Sequence, residues 1–537
     1  MDTPIVVPHN WIGVRGSLST LSFTPNSKRS RRTRPRVRVY KVGALPSNTV
    51  VGCHQPNSTN FRASVFGRVL TVRRQGQSVE TTIPDETFYR RRMQPFVDEL
   101  KRQSFATEPV SRRQFVEKYH GRKLLAYRRA LANLERMEAD GSLNLQKISR
   151  LSNFIKVEKL LAGKLQKDPR NISPRSYEFN ILLGTYIAHL EKILFRILAK
   201  VCGFPVVFKG MNALQQGTQL YEHWSQFTNP VAIDLDASRF DQHQHVSALK
   251  VEHEQWLRMV PPEHRSNLSK LLKCQLRNEG SCVFPEEGVV VKYSVQGTRA
   301  SGDMNTSSGN CFTMVGMIHA YCVSHGLKYR LANNGDDCVL IIEKEDLPRT
   351  QNLVNWFAGM GFTMESEGSV SEFEHIKFCQ TQPVWTPSGY VMVRDPSVAI
   401  PKDTRTRCDL RHREIFEAWS TAVSMGGEAL AGNIPIFNQF YQCFPRYNTT
   451  VNQQELLALT QTGFYSLAGN MHTKFSQVHP RTRDSFYLAF GVTPPEQRSL
   501  ERELSKHRFI WSEPMLQQQG GEDGASALFE MLFASRK

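Results

Sequence analysis

The stretch Asn333-Asn334-Gly335-Asp336-Asp337-Cys338 constrains this chain more than any other. A mixed segment, Lys328 to Ala332, precedes it, and the apolar Val339-Leu340-Ile341-Ile342 follows. The pattern predicts strand, tight turn, strand, because Asn and Gly tolerate positive φ in hairpin turns. Two adjacent carboxylates at such a tip repel each other and resist burial. A solvated Asp-rich turn is one reading. The other is a divalent-cation site, since hard cations such as Mg²⁺ are often held by one or two carboxylates plus substrate phosphates.

A second acidic segment bears on the choice. Val231-Ala232-Ile233-Asp234-Leu235-Asp236 alternates as a strand does, and helix-like sequence begins near Asp241. A carboxylate at a strand end, facing a carboxylate-bearing turn, is one way to build a two-metal site. Asp234 shares the face of Asp236, one pleat further from the mouth.

Charge points to the partner. Of 537 residues, 68 are Lys or Arg and 50 are Asp or Glu, a formal net charge of +18. An excess of that size suggests a polyanion, either nucleic acid or an acidic membrane surface. The run Lys28 to Lys41 reads as a solvated basic arm that binds RNA, or as a nuclear address. From 84 to 140 the pattern is helical, and Arg112, Arg113, Lys118, Arg122, Lys123, Arg128 and Arg129 share its polar side. A basic helix face is commonly just a solvated face; next to the other motifs this one reads as the wall of a nucleic-acid channel. Ten cysteines occur with no Cys-x-x-Cys pair and no zinc-finger spacing, which fits reduced thiols. No signal peptide is evident, and the most apolar stretch, Ile181 to Phe208, is broken by His189, Glu191, Lys192, Arg196 and Lys200. It predicts a buried amphipathic helix.

The remaining elements follow in order. A strand is expected at 64–72. Residues 154–175 carry Lys156, Lys159, Lys167, Arg170 and Arg175 among two prolines, a loop or short strand pair. Arg offers phosphate two parallel hydrogen bonds, so these cations could clamp a triphosphate or could be surface charge. Helices are expected at 180–201, 252–259 and 266–276, and a β-pair at 282–284 and 289–293. Gly297 to Asn310 opens a long helix from Thr306 to Ser324, on which Thr306 and Asn310 share a face. An N-capping role is the alternative for those polar residues. Phe373 to Gln380 reads as a short hairpin. Helices are expected at 353–361, 414–425 and 455–462, with a flexible linker at 517–524.

The order of these motifs is specific: a basic loop, Asp236-Ala-Ser-Arg-Phe-Asp241-Gln-His243, Ser301-Gly-Asp-Met-Asn-Thr306-Ser-Ser-Gly-Asn310, Gly335-Asp336-Asp337 and Phe378-Cys379-Gln380. Over residues 50 to 440 the chain resembles the RNA-dependent RNA polymerases of positive-strand RNA viruses. It is most similar to the tombusvirus group with its carmovirus-, umbravirus- and luteovirus-like relatives.

The resemblance implies an α+β fold, a right hand of fingers, palm and thumb in which helices flank an antiparallel palm sheet and the thumb is mainly helical. It implies a basic arm at 1–50, fingers and fingertips at 51–225, the first palm segment at 226–251, a fingers insertion at 252–295, the second palm segment at 296–395, and the thumb and tail at 396–537. Asp236 and Asp336, assisted by Asp337, would hold two Mg²⁺ ions, for which Mn²⁺ could substitute. Lys156, Lys159, Lys167, Arg170 and Arg175 would meet the incoming triphosphate, above all Arg170 and Arg175. Asp241, Ser301, Thr306 and Asn310 would sense the ribose 2′-hydroxyl, which distinguishes RNA from DNA. Phe378, Cys379 and Gln380 would support the primer end, and Arg122, Lys123, Arg128 and Arg129 would bind RNA.

The implied partners are viral template and product RNA, nucleoside triphosphates, host factors and an upstream replicase protein or region. That region would supply membrane attachment at a replication complex in the host cytoplasm. A reverse transcriptase and a non-catalytic, capsid-like RNA binder are the rival readings. One departure stands out. Related enzymes often carry a Lys after Gly-Phe-Thr-Met as the acid for pyrophosphate, but here Glu365-Ser366-Glu367 follows, leaving Lys344, Lys377 or water for that step.

Overall fold

The computed structural model describes residues 7–14, 16–25, 36–43, 51–450 and 463–512. Residues 28–35 of the basic run, the helix expected at 455–462 and the stretch 517–524 lie outside the described residues.

The fold is mixed α and β. Its organising sheet has four antiparallel strands in the order Tyr329–Asn334, Asp337–Glu343, Pro230–Ala237, Met364–Val370. Side chains alternate between the faces of a strand, so each face can serve a different core. Val231, Ile233 and Leu235, with Leu340 and Ile342, pack into one core with the helices Tyr177–Cys202 and Thr306–Ser324. Ala232, Ala332, Val339 and Ile341 face a second core shared with the helix Arg413–Ala431 and the hairpin of Thr381–Thr386 and Gly389–Arg394. By the same alternation Asp234, Asp236 and Asp337 belong to the second face.

The helix Thr306–Ser324 runs as the sequence predicts, and every residue from Ser308 to Cys322 is buried. A helix that is apolar nearly all round belongs inside a protein. The helix Tyr177–Cys202 packs beside it, as expected for an amphipathic, buried element. No helix among the described residues is long and apolar enough to cross a membrane.

A second sheet joins distant parts of the chain, in the order Trp11–Gly13, Gly16–Pro25, Val289–Gln296, Arg277–Phe284, Leu151–Ser152. The strand expected at 64–72 is not formed. The segment is instead the helix Ser58–Val65, a π turn Phe66–Leu70 and a short strand Val72–Arg74. Asn57 caps the helix by accepting from the Asn60 amide, and Phe61, Val65, Phe66 and Leu70 bury against Phe284, Val291 and Tyr293. Packing here outweighs the β propensity of Val and Phe.

The N-terminal part is tied to residues near 400. Tyr40–Lys41 pairs with Arg405–Thr406, Val51–Gly52 pairs with Leu160–Leu161, and Arg407 Nη1 donates to the Val157 carbonyl at 2.6 Å.

Candidate active site

Strand register brings the acidic motifs together. Asp236 lies directly opposite Asp337 across the central strand pair, and Asp336 occupies the adjoining turn. Gly335 has φ of 92°, a left-handed conformation that favours glycine. The Asn333 side chain braces the turn, donating to the Gly335 carbonyl at 2.8 Å and accepting from its amide at 3.2 Å. Asp236 and Asp336 are exposed, whereas Asp337 is half-buried. Burial, followed by repulsion from Asp336 and Asp236, raises the Asp337 carboxyl to about 6. Carboxylates from two motifs brought to one turn are donors that suit a hard divalent cation. Among the described residues no three such side chains are gathered tightly enough to enclose an ion by themselves. That is compatible with Mg²⁺ held partly by substrate phosphates.

Asp241 sits at the same mouth, half-buried, with its pKa raised first by desolvation, and it feels the charges of Asp336 and Arg170. Asn310 Nδ2 donates to its Oδ1 at 2.6 Å. Thr306 is less available, because its Oγ1 donates to the Ala300 carbonyl at 2.7 Å, while half-buried Ser301 is tied to the basic loop through its carbonyl, which accepts from the Ser173 amide at 2.8 Å.

The basic loop forms the expected short strand pair, Phe154–Ile155 with Asn171–Ile172. Its cations divide into two groups. Lys156 and Arg170 are accessible and flank Glu158 at 3.2 and 3.6 Å, and Lys167 is exposed. Arg175 and Lys159 depart from expectation. The Arg175 side chain is 1% exposed and donates to Asp303 Oδ1 at 2.5 Å, the Ser149 carbonyl at 2.5 Å and Asn278 Oδ1 at 2.6 Å. Its fork is spent inside the protein, fastening this loop to the one before Thr306. Lys159 is buried, and its Nζ donates to the carbonyls of Lys402 and Arg405 at 2.6 and 2.7 Å. Burial pushes its amine down to about 8. It straps the loop to the end of the helix Pro396–Asp403.

Phe373 to Gln380 is not the expected hairpin. A 3₁₀ turn, Phe373–His375, leads to a tight turn closed by reciprocal bonds between Phe378 and Thr381, and the hairpin begins at Thr381. Cys379 and Gln380 take φ of 52° and 62°, which turns them out of the strand path. Phe378 is buried edge-on to Phe208, so it anchors the turn, while Gln380 is exposed. The Cys379 thiol accepts from Asn334 Nδ2 at 3.1 Å, placing this turn beside the acidic tip. Arg122, Lys123, Arg128 and Arg129 are exposed on the helix Gly121–Ala139, which packs on the helix Tyr177–Cys202. Arg128 is neutralised by Glu117 at 2.7 Å.

Three cations were not singled out as site residues in the sequence. Lys209 Nζ donates to Asn334 Oδ1 at 2.8 Å, bringing an amine to the Gly-Asp-Asp turn. A parallel bridge between Val207 and Asn333 brings its segment alongside the turn. Arg239, at φ of 52°, pairs with Asp168 at 2.7 Å and joins the end of the central strand to the basic loop. Arg299 contacts Asn310 at 3.0 Å. Of the amines considered for pyrophosphate, Lys344 follows Glu343, which pairs with Pro230 at the far end of the sheet. That is about 20 Å from the carboxylates at about 3.3 Å per residue. The Lys377 amide donates to Asp234 at 3.3 Å, which keeps that residue on the face that carries Asp236.

Residues 26–512 match the family model described as viral RNA dependent RNA polymerase. The chain is 36% identical over 478 residues to the RNA-directed RNA polymerase of Tobacco necrosis virus (strain D), covering 88% of this chain and 65% of that protein. It is 38% identical over 502 residues to that of Tobacco necrosis virus (strain A), covering 92% and 67%. It is 40% identical over 410 residues to that of Oat chlorotic stunt virus (isolate United Kingdom), covering 74% and 54%. The chain thus spans between about half and two thirds of the length of these relatives. With a match over most of its length and acidic motifs meeting in one sheet, the chain belongs to the viral RNA-dependent RNA polymerase family.

Proposed function

We propose that the chain is a template-directed RNA polymerase that extends an RNA 3′-hydroxyl with nucleoside triphosphates and copies a viral RNA. The observation that carries this reading is the register that sets Asp236 opposite Asp337 beside Asp336. In-line phosphoryl transfer needs mainly positioning and neutralisation of charge. Asp236 and Asp336 are the proposed ligands of two Mg²⁺ ions, with Asp337 assisting. Bound there, the ions would acidify the 3′-hydroxyl and offset charge on the triphosphate and departing pyrophosphate. Arg170, Lys156 and Lys167 are the available cations for the triphosphate. Asp241 and Asn310 are proposed to receive the ribose, and the turn at Cys379 and Gln380 to support the 3′ end. Arg122, Lys123 and Arg129 are proposed as outer RNA contacts.

We read the four-stranded sheet as a palm assembled from 226–251 and 296–395, with fingers at 51–225 and 252–295 and a thumb beyond 396. The division at 251/252 falls inside the helix Val246–Arg258, so that helix belongs to both parts. The strand pairings between residues 40–52 and the segments near 160 and 405 support a closed hand. The names of the relatives favour neither a reverse transcriptase nor a non-catalytic RNA binder. Membrane recruitment would come through a partner or an upstream replicase region, and flotation of this chain alone with vesicles would contradict that. The direct test is incorporation of labelled nucleotide on an RNA template with Mg²⁺ present or chelated. The reading expects incorporation only with the metal and a strong preference for ribonucleotides; equal use of deoxynucleotides would favour a reverse transcriptase.

A further inference from the structure

Behind the nucleotide-facing residues lies a buried ionic chain. Asn310 Nδ2 donates to Asp241, while its Oδ1 accepts from Arg299 Nε at 3.0 Å. A guanidinium can only donate, so it can receive nothing from the amide and must face the oxygen. Arg299 therefore fixes which way the Asn310 carboxamide points. Arg299 is itself held by Glu252, and these two side chains are 1% and 0% exposed.

Glu252 is in turn fixed on three sides. Its Oε1 accepts from Trp256 Nε1 at 2.8 Å and from Asn305 Nδ2 at 2.7 Å, and Gln275 Nε2 donates to Asn305 Oδ1 at 2.7 Å. The third side is the long helix at Gly309, where an added Cβ would lie 2.5 Å from Glu252 Oε1. The glycine preceding Asn310 admits this carboxylate. Burial alone would raise the Glu252 pKa, but Arg299 and the surrounding donors lower it on balance, so it stays ionised. The backbone is locked in the same register, with the Arg299 amide donating to the Asp241 carbonyl at 2.8 Å and the Thr298 amide to the Gln244 carbonyl at 2.7 Å.

We propose that Glu252 and Arg299 are positioning residues for nucleotide selection: without touching the nucleotide, they orient Asn310, and through it Asp241, and so set the preference for ribo- over deoxyribonucleoside triphosphates. The proposal rests on the polymerase reading above. A site built to hydrogen-bond a substrate hydroxyl rejects an analogue lacking it because its own polar groups are then left unpaired. A carboxamide free to rotate loses that penalty and accepts either sugar.

The test compares kcat/KM for a ribonucleoside triphosphate and its 2′-deoxy counterpart on one RNA template, using the full chain with Mg²⁺. Glu252→Gln should raise KM for the ribonucleotide and lower the ribo/deoxy ratio by about tenfold, the effect of one hydrogen bond. Deoxynucleotide incorporation should change little. Arg299→Lys keeps a charge opposite Glu252 but replaces a fork that reaches Glu252 and Asn310 through two separate nitrogens by one compact ammonium, which does not span both, and it should lower the ratio similarly; it is read in place of Glu252→Gln if that variant does not fold. In an Asn310→Ala background the effect of either substitution on the ratio should vanish, as a double-mutant cycle requires when one residue acts through another. Folded variants with a wild-type ratio, or an effect that persists in the Asn310→Ala background, would overturn the relay alone. Wild-type protein that incorporates neither nucleotide would overturn the polymerase reading and the relay with it.

Discussion

Arg175 offers the sharpest contrast between a phosphate ligand and a structural tie, and Arg175→Met separates the two. The ion pair with Asp303 is dry on both sides, with side chains 1% and 4% exposed. Removing one partner of such a pair leaves a buried, uncompensated charge and costs about 3–5 kcal/mol. For a chain of this length, about 1 kcal/mol corresponds to about 1 °C in melting temperature, so the midpoint should fall by about 3–5 °C. Asp303→Leu in the same molecule should recover part of the loss, since the orphaned carboxylate is then gone. The assay is thermal unfolding of the three proteins, with the nucleotide KM measured well below the transition. An unchanged midpoint together with a large rise in KM would refute the reasoning and return Arg175 to the triphosphate.

Arg170→Ala should behave in the opposite way. Its side chain is 55% exposed and its pairing with Glu158 is long, at 3.6 Å. The variant should melt with the wild type and show a nucleotide KM raised by about tenfold in steady-state incorporation. A pH effect on stability follows from three buried histidines. Burial lowers His223 to about 3 and His245 and His253 to about 4, from 6.5. The unfolded chain takes up these protons first, so stability is retained above pH 6.5 and lost as pH falls towards 4. Between pH 6.5 and 5 each should cost about 2 kcal/mol, seen as a falling urea midpoint, and a midpoint flat over that range would contradict it.

The parts of the site that were legible in the sequence are those coded locally. The turn at Asn333 to Cys338 carries its own Asn, Gly and flanking strands, and the helix from Thr306 to Ser324 has the expected bounds. Alternation around Asp234 and Asp236 was enough to place both on one face, because period two fixes the face of a strand. What could not be read depends on partners far along the chain. Arg175 looks like any other basic loop residue until Asp303, 128 residues later, closes on it. Lys159 meets carbonyls about 245 residues away. Lys209 and Glu252 sit in unremarkable helix and turn sequence and acquire meaning only from Asn334 and Arg299. Residues 64–72 depart from the strand their sequence predicts for the same reason, since the core beneath Phe61 and Val65 decides their conformation.

The most direct measurement is nucleotide incorporation by the purified chain and its Asp336→Ala variant, with template RNA, four nucleoside triphosphates and Mg²⁺. Asp336 adjoins the pair formed by Asp236 and Asp337 and is exposed at the tip, so its removal takes away the proposed metal ligand without disturbing a core. The wild type should synthesise RNA and the variant, with an unaltered melting temperature, none. Synthesis by the variant at a rate comparable to the wild type would place the chemistry elsewhere in the molecule.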